Sequence, residues 1–156
     1  MLPKYDPQKR SLPKRSSYIG ASTWLRAVQE CFGETVVFAL DSALMCQGYY
    51  GGHHDEYLVW IYGNGALSEF NGVFVLGDQI ALNDTKEMNG LCFTTFNRTI
   101  MDALENEIIL DMQGVTEALS KYYYRNGERF DGISVAPEYQ ARFERLAAEA
   151  IEYYEN

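Results

Sequence analysis

The chain has 156 residues, of which 47% are hydrophobic and 14% aromatic, so it is long and apolar enough to build one folded core. This composition excludes a wholly disordered chain. No apolar run reaches the roughly 18 residues that a membrane-spanning helix needs, and the N-terminal residues lack the apolar stretch of a secretion signal, so we expect a soluble, cytoplasmic protein.

The net charge of −9 is unevenly distributed along the chain. Residues 1–15 carry five basic side chains and one acidic one, a net charge of +4, which leaves −13 for the remainder. An acidic body argues against a broad nucleic-acid-binding face, whereas a short basic segment with prolines can lie along phosphates or an acidic partner. We predict a flexible, solvated basic arm over 1–16, with contact to phosphates or an acidic partner as the alternative, and a single domain over 17–156. The candidate contact residues of the arm are Lys9, Arg10, Lys14 and Arg15.

The first predicted elements are a helix and a strand that leads into a second helix. Apolar residues recur at helical spacing over 17–32, and Gly33 is placed to end this helix. A β-branched and aromatic run at 35–38 predicts a strand. Asp41 is expected to cap the short helix that follows, and Gly48 is expected to end it.

The middle of the chain predicts a sheet. Residues 57–62 form the strongest predicted strand, and 72–76 and 91–95 predict two more. The segment 49–56 is predicted to be a loop, and so is the polar stretch 83–90, which ends in the turn pair Asn-Gly.

Residues 96–156 predict three helices. Thr95 or Asn97 can cap the first of these and Asp111 the second, and Pro137 suits the first turn of the third. The order of all the elements predicts an α+β fold, in which a small mixed β-sheet is packed by helices and the C-terminal third is helical.

Few side chains have the chemistry of a reactive centre. Residues 53–56, His-His-Asp-Glu, are metal-ligand types, but adjacent side chains point in different directions and the chain has only two histidines. A polar loop is the favoured interpretation, and we predict no metal and no cofactor. Cys31, Cys46 and Cys92 lie in apolar surroundings and are predicted to be buried, reduced thiols.

Arg98 and Asp102 stand one helical turn apart and can pair. Such a pair can act as an oxyanion clamp with an acid, or it can fix a helix to its surroundings. Because no nucleophile lies nearby in the sequence, we predict a structural ion pair. A candidate surface for a partner or for DNA combines aromatic and basic side chains, and its members are Lys121, Tyr123, Tyr124, Arg125 and Arg129.

Three segments carry a family resemblance: 36–44 (VVFALDSAL) with Gly48, 94–104 (TTFNRTIMDAL) and 115–119 (VTEAL). Their order and spacing over 35–155 resemble the C-terminal domain of AbiEi-type antitoxins. In that family a strand and an S-A-L-x-x-x-G helix precede a sheet, and an R-T-[IL]-x-D-x-L helix, an E-A-L helix and a terminal helix follow.

The resemblance implies a non-catalytic antitoxin and transcriptional regulator of a type IV toxin–antitoxin system, with a nucleotidyltransferase-like toxin as its possible partner. These antitoxins usually carry an N-terminal winged helix-turn-helix, and the segment before Thr35 is too short for one. Contacts with a partner protein are therefore expected more than contacts with DNA. The alternative is a small nucleotide-binding or nucleotidyltransferase-like enzyme, although the chain lacks the Gly-Ser turn and paired acids with which such enzymes hold metal. The sequence predicts no particular oligomeric state.

Overall fold

In the computed structural model, which describes residues 6–49, 58–110 and 112–153, five strands form one β-sheet. Its order is β3-β2-β1-β5-β4, with β1–β5 and β2–β3 parallel and β1–β2 and β4–β5 antiparallel. The predicted α+β fold with a mixed sheet is therefore confirmed. The strands are β1 (Val37–Phe38), β2 (Val59–Tyr62), β3 (Val73–Gly77), β4 (Thr85–Met88) and β5 (Leu91–Thr94).

The described residues also form five α-helices, and three of them follow residue 95, as predicted for 96–156. None of these helices is long and apolar enough to cross a membrane. The helices are α1 (Ala21–Phe32), α2 (Leu40–Gln47), α3 (Phe96–Glu105), α4 (Met112–Arg125) and α5 (Gln140–Tyr153).

Alternation along β2 sends its side chains into two cores on opposite faces of the sheet. Val59 and Ile61 pack with apolar residues of α1, and we call this group the α1-side core. Trp60 and Tyr62 pack with apolar residues of α3, α4 and α5, which form the α4-side core. Burial on both faces explains why the sequence of β2 is a continuous apolar run rather than an alternating one.

Helix α2 follows β1 directly and contributes to both cores, since Ala43 packs in the α1-side core and Leu44 in the α4-side core. The helix begins at Leu40 with Ala39 as its N-cap, so the prediction that Asp41 caps it is wrong. Asp41 lies instead in the buried first turn. Leu40 has a φ of 48°, a left-handed conformation that is costly for a leucine, and its side chain is only 1% exposed.

Other helix ends follow the predicted residues closely. Gly33 and Gly48 end α1 and α2 in the left-handed conformation that glycine adopts readily. Thr95 caps α3, with its hydroxyl accepting a hydrogen bond from the backbone N–H of Arg98. Pro137 lies in a short 3-10 turn immediately before α5. Asp111 and most of the predicted loop at 49–56 lie outside the described residues.

Strand β4 corrects the prediction of a loop over 83–90. Thr85–Met88 pairs with β5 through a two-residue turn, in which Asn89 and Gly90 have φ values of 56° and 76°. The composition of β4 is polar because it is an edge strand, and Lys86, Glu87 and Met88 are exposed. The polar composition of β4 therefore reflects its position at the edge of the sheet, and it did not indicate a loop.

The described part of the basic N-terminal segment, from Asp6 onward, lies beside the start of β3. The backbone N–H of Asp6 donates to Oδ1 of Asn71 at 2.8 Å, and Nδ2 of Asn71 donates to the carbonyl of Asp6 at 2.6 Å. Arg10 then forms a parallel bridge with Phe70, and its carbonyl accepts from the backbone N–H of Asn71. One asparagine thus joins this segment to the sheet.

Leu12 anchors the next part of the segment, because its side chain is 7% exposed and lies in the α1-side core. Trp24 of α1 adds a hydrogen bond from its indole N–H to the carbonyl of Pro13 at 2.8 Å. Residues 6–13 of the predicted arm are therefore in contact with the domain, since Leu12 is apolar enough to enter the core.

Replacing Leu12 by alanine should lower the free energy of unfolding by about 2–3 kcal/mol, because a buried leucine leaves a cavity. Leu82→Ala is the matched control, since Leu82 is 86% exposed and its loss should change stability by less than about 0.5 kcal/mol. Urea denaturation of the two variants measures both values. Equal effects would show that Leu12 does not hold the segment in place.

Candidate functional site

Arg98 and Asp102 belong to a polar cluster between the sheet and α3. They lie one turn apart on α3, and the end of β2 supplies Tyr62 while the 3-10 turn before β4 supplies Asp84. We call these four residues the Arg98 cluster. It brings together three parts of the chain that are distant in sequence.

The guanidinium of Arg98 donates three hydrogen bonds within this cluster. Its Nε contacts Oδ1 of Asp102 at 3.0 Å, and its terminal nitrogens contact Oδ2 of Asp84 at 3.2 Å and the hydroxyl of Tyr62 at 3.2 Å. The guanidinium carbon also lies 5.7 Å from the centre of the Tyr62 ring. The predicted ion pair is present, and a second carboxylate joins it.

Tyr62 completes the surroundings of the Asp102 carboxylate. Its hydroxyl lies 2.9 Å from each carboxylate oxygen, so the hydroxyl proton is donated to the carboxylate. The side chain of Asp102 is 2% exposed, whereas those of Arg98 and Asp84 are about one-third exposed. The buried charge is therefore balanced by Arg98 and hydrogen-bonded by Tyr62.

Burial is the largest influence on the pKa values of Tyr62 and Asp102. It raises the pKa of Tyr62 to about 12, against the opposing hydrogen bond from Arg98. It also raises the pKa of Asp102 above its ordinary value, while Arg98 and Tyr62 act in the opposite direction. For Arg98, burial disfavours the charge, but the hydrogen bond to Tyr62 and the Asp102 carboxylate outweigh it and raise the pKa. Arg98 is therefore charged and Tyr62 protonated at neutral pH.

These protonation states suit a fixed ion-pair network better than proton transfer. A phenol with a pKa of about 12 is a poor base at neutral pH, and every described polar group of the cluster already has a partner within it. We interpret the cluster as a link that holds α3 against the end of β2 and the turn before β4.

The sequence did not reveal Tyr62 and Asp84 as members of this site. Tyr62 is the last residue of a strong predicted strand, and Asp84 lies in a polar stretch that predicts a loop. Their hydrogen-bond partner Arg98 lies 36 and 14 residues away, beyond the reach of local spacing. The available signal was the phase of β2, which directs Tyr62 to the same face as Trp60 and the C-terminal helices.

The basic residues of the predicted arm lie around the start of β3 and near α1. Lys9 donates to the carbonyl of Ser68 at 3.3 Å, and Arg10 pairs with Glu69 at 3.8 Å. Lys14 is exposed, and the guanidinium of Arg15 lies 6.0 Å from the ring of Trp24. This group therefore borders the α1-side core.

The candidate surface on α4 lies on the other side of the sheet. Tyr123 packs against Phe130, with ring centres 4.9 Å apart, and Arg125 lies 5.0 Å from the ring of Tyr49. Tyr124 is 38% exposed and is the most outward of the tyrosines at 122–124.

The remaining members of this surface form ion pairs, Lys121 with Glu117 at 3.7 Å and Arg129 with Asp131 at 3.8 Å. The arm residues contact Phe70 and Trp24 on the α1 side. The structure therefore assigns the predicted contact residues to two separate surfaces.

The possible metal ligands and the thiols of the described residues do not form a reactive site. Within the described ranges, no group of three or more His, Cys, Asp or Glu side chains could hold a metal ion, and residues 53–56 fall outside those ranges. Burial raises the pKa of Cys46 to about 12, which suppresses the nucleophilic thiolate. Cys92 is partly buried, but Cys31 is exposed, so its predicted burial is wrong. Cys31 lies off the face of α1 that contacts the core.

Comparisons with protein-family models, with curated proteins and with solved structures found no match to this chain. The structure defines an α+β domain with a charged cluster between its sheet and a C-terminal helix. The resemblance to antitoxins rests on the sequence segments alone.

Tyr62→Phe should reduce the loss of stability at alkaline pH. The folded-state pKa of about 12 exceeds the ordinary value of 10.0, so the protonated hydroxyl contributes stability that is complete below pH 10 and lost as pH rises through 12. Urea denaturation across this range should show a steeper decline for the wild type than for the variant. Parallel declines would contradict the assigned role of Tyr62.

Arg98→Met should lower the free energy of unfolding by about 2–4 kcal/mol, because it leaves the buried Asp102 carboxylate without its cation. The same substitution at Arg145, which is exposed on α5, serves as the control and should have an effect below about 0.5 kcal/mol. Thermal and urea unfolding measure both. An Arg98 variant as stable as the control would refute the structural role.

Proposed function

We propose that this chain is a non-catalytic, antitoxin-like regulatory domain of a type IV toxin–antitoxin system that acts in the cytoplasm through contacts with a partner protein. One observation carries the proposal. The three segments that resemble AbiEi-type antitoxins are separate in sequence, yet each places buried leucines in the α4-side core. Leu44, Leu104 and Leu119, from α2, α3 and α4, are each at most 2% exposed. Part of each resembling segment thus lies in this one core, while Val36, Phe38 and Ala43 of the first segment pack in the α1-side core.

The pattern R-T-I-M-D-A-L has a structural explanation at each of its main positions. Ile100 and Leu104 are buried in the α4-side core, while Arg98 and Asp102 form the ion pair beside β2. The hydroxyl of Thr99 lies 2.6 Å from that of Thr94 and also donates to the carbonyl of Thr95. A motif that packing and hydrogen bonding explain requires no substrate, which supports a regulatory role over an enzymatic one.

The end of α4 is the surface we assign to the partner. It combines Tyr123 and Tyr124 with Arg125 and Arg129, and tyrosine and arginine are the residue types that most often anchor protein interfaces. The net charge of −9 disfavours DNA as the main partner, because phosphates would be repelled by most of the surface. The candidate residues for contact with DNA are the basic side chains Lys9, Arg10, Lys14 and Arg15.

Co-expression with an adjacent nucleotidyltransferase-like toxin should restore growth that the toxin alone arrests. Arg125→Glu should weaken this rescue, because it reverses a charge within the proposed contact surface. Arg145→Glu is the matched control, an exposed arginine on a helix outside that surface, and it should leave the rescue unchanged. Colony counts with and without toxin induction measure the effect. Failure of the wild type to rescue, or equal loss in both variants, would contradict the proposal or its surface.

A nucleotide assay separates this proposal from the competing enzymatic function. The purified wild type should not turn over nucleoside triphosphates when Mg²⁺ or Mn²⁺ is added. Metal-dependent turnover that disappears in Asp41→Asn or Asp102→Asn, with circular dichroism showing that the variants remain folded, would overturn the non-catalytic assignment. Retention of operator DNA on the protein at moderate salt would reassign the role from protein contacts to DNA contacts.

A further inference from the structure

The two edge strands of the sheet differ in how readily each could pair with a further strand. At one edge, β4 carries exposed Lys86 and Glu87, and charges of this kind hinder pairing with another strand. At the other edge, β3 (Val73–Gly77) is five residues long and contains neither a charge nor a proline. Such an edge offers unpaired backbone groups to an extended segment.

The register of β3 shows which backbone groups face outward. The carbonyl of Gly72 accepts from the N–H of Val59, so the backbone of Gly72 faces β2. Because direction alternates along a strand, the N–H and C=O of Val75 face away from β2. Within the described parts of the chain, no hydrogen bond from Val75 to a segment other than β2 is found.

Space for another strand is present at this edge. A groove of about 470 Å³ lies along β3, and its lining includes Val75, Gly65 and Gly77. A Cβ added at Gly65 would meet no atom within 4 Å, so no side chain obstructs an approaching backbone there. The described part of the N-terminal segment bridges the chain just before β3, where Arg10 pairs with Phe70.

We propose that β3 pairs antiparallel with β3 of a second copy of this chain, about a two-fold axis at Val75, so that one sheet runs through both copies. The two Val75 residues would exchange both of their outward hydrogen bonds. On the α4 side, Phe74 of each copy would lie opposite Leu76 of the other, which forms two apolar cross-strand pairs. This inference does not depend on the proposed regulatory function.

Charge at the two ends of β3 favours a second copy as the occupant. Asp78 follows the strand, and Arg10 lies beside Phe70 just before it. Antiparallel pairing about Val75 places Asp78 opposite Gly72 of the other copy, about 7 Å along the strand from the level of Arg10. An arginine side chain spans that distance, and its pairing with Glu69 at 3.8 Å is exposed and easily exchanged. The symmetric arrangement therefore brings opposite charges together twice.

Light scattering coupled to size exclusion should show the full chain shifting from one to two copies with increasing concentration. Val75→Pro removes an outward N–H, and symmetry removes two hydrogen bonds at once, so the dimer Kd should rise at least about tenfold. Glu87→Pro, which removes an outward N–H from the charged edge at β4, is the control and should leave the Kd unchanged. Circular dichroism verifies that both variants fold.

A charge exchange tests the antiparallel register. Arg10→Asp or Asp78→Arg alone should raise the dimer Kd about threefold or more, and the double variant should return it close to the wild-type value. A wild type that stays monomeric at all concentrations, a dimer that survives Val75→Pro, or open-ended oligomers would overturn the proposal. A double variant weaker than both single variants would overturn the register and with it the proposed pairing.

Discussion

The arrangement of the C-terminal half depends on the hydrogen bonds that the guanidinium of Arg98 donates. The guanidinium contacts Asp102 on its own helix, Tyr62 at the end of β2 and Asp84 before β4, so one side chain fixes α3 relative to two strands. The carboxylate of Asp102 would be costly to bury without this cation and the Tyr62 hydroxyl. Helices α2 and α4 pack against α3 in the α4-side core, so they adjoin the helix that this link holds. The charged cluster and the apolar packing of the α4-side core thus both hold α3 against the sheet.

The sheet separates the α4-side core from the α1-side core, and different parts of the chain cover its two faces. On the α4 side, helices α3 to α5 cover Trp60 and Tyr62, and aromatic contacts such as the stacked rings of Phe96 and Tyr122 extend the core outward. On the α1 side, α1 provides most of the helical residues, Ala43 and Met45 of α2 join it, and Leu12 of the N-terminal segment is packed beside them. This segment therefore contributes to the core as well as positive charge. The burial of Leu12 and the positive charge of the segment together explain why a basic, proline-containing stretch lies on an acidic domain.

Local patterns in the sequence predicted most helices and strands, because caps, glycine stops and apolar periodicity act over a few residues. They failed where the controlling interaction is not local. Strand β4 is polar because it lies at an edge, and only its pairing with β5 identifies it. Arg98 and Asp102 were predicted to pair because they are one turn apart, whereas Tyr62 and Asp84 reach them only through the sheet topology. The burial of Cys31 was wrongly predicted because its apolar neighbours occupy the other face of α1.

The junction between β1 and α2 limits how this domain can change. Leu40 adopts a φ of 48° while its side chain is 1% exposed in the α4-side core. Glycine is the residue that would relax the backbone there, but it would leave a cavity of leucine size. A β-branched residue would fill part of the space and strain the backbone further. No single substitution at this position therefore satisfies both the backbone and the core. The sharp turn from β1 to α2 depends on a leucine that fills the core although its backbone is strained.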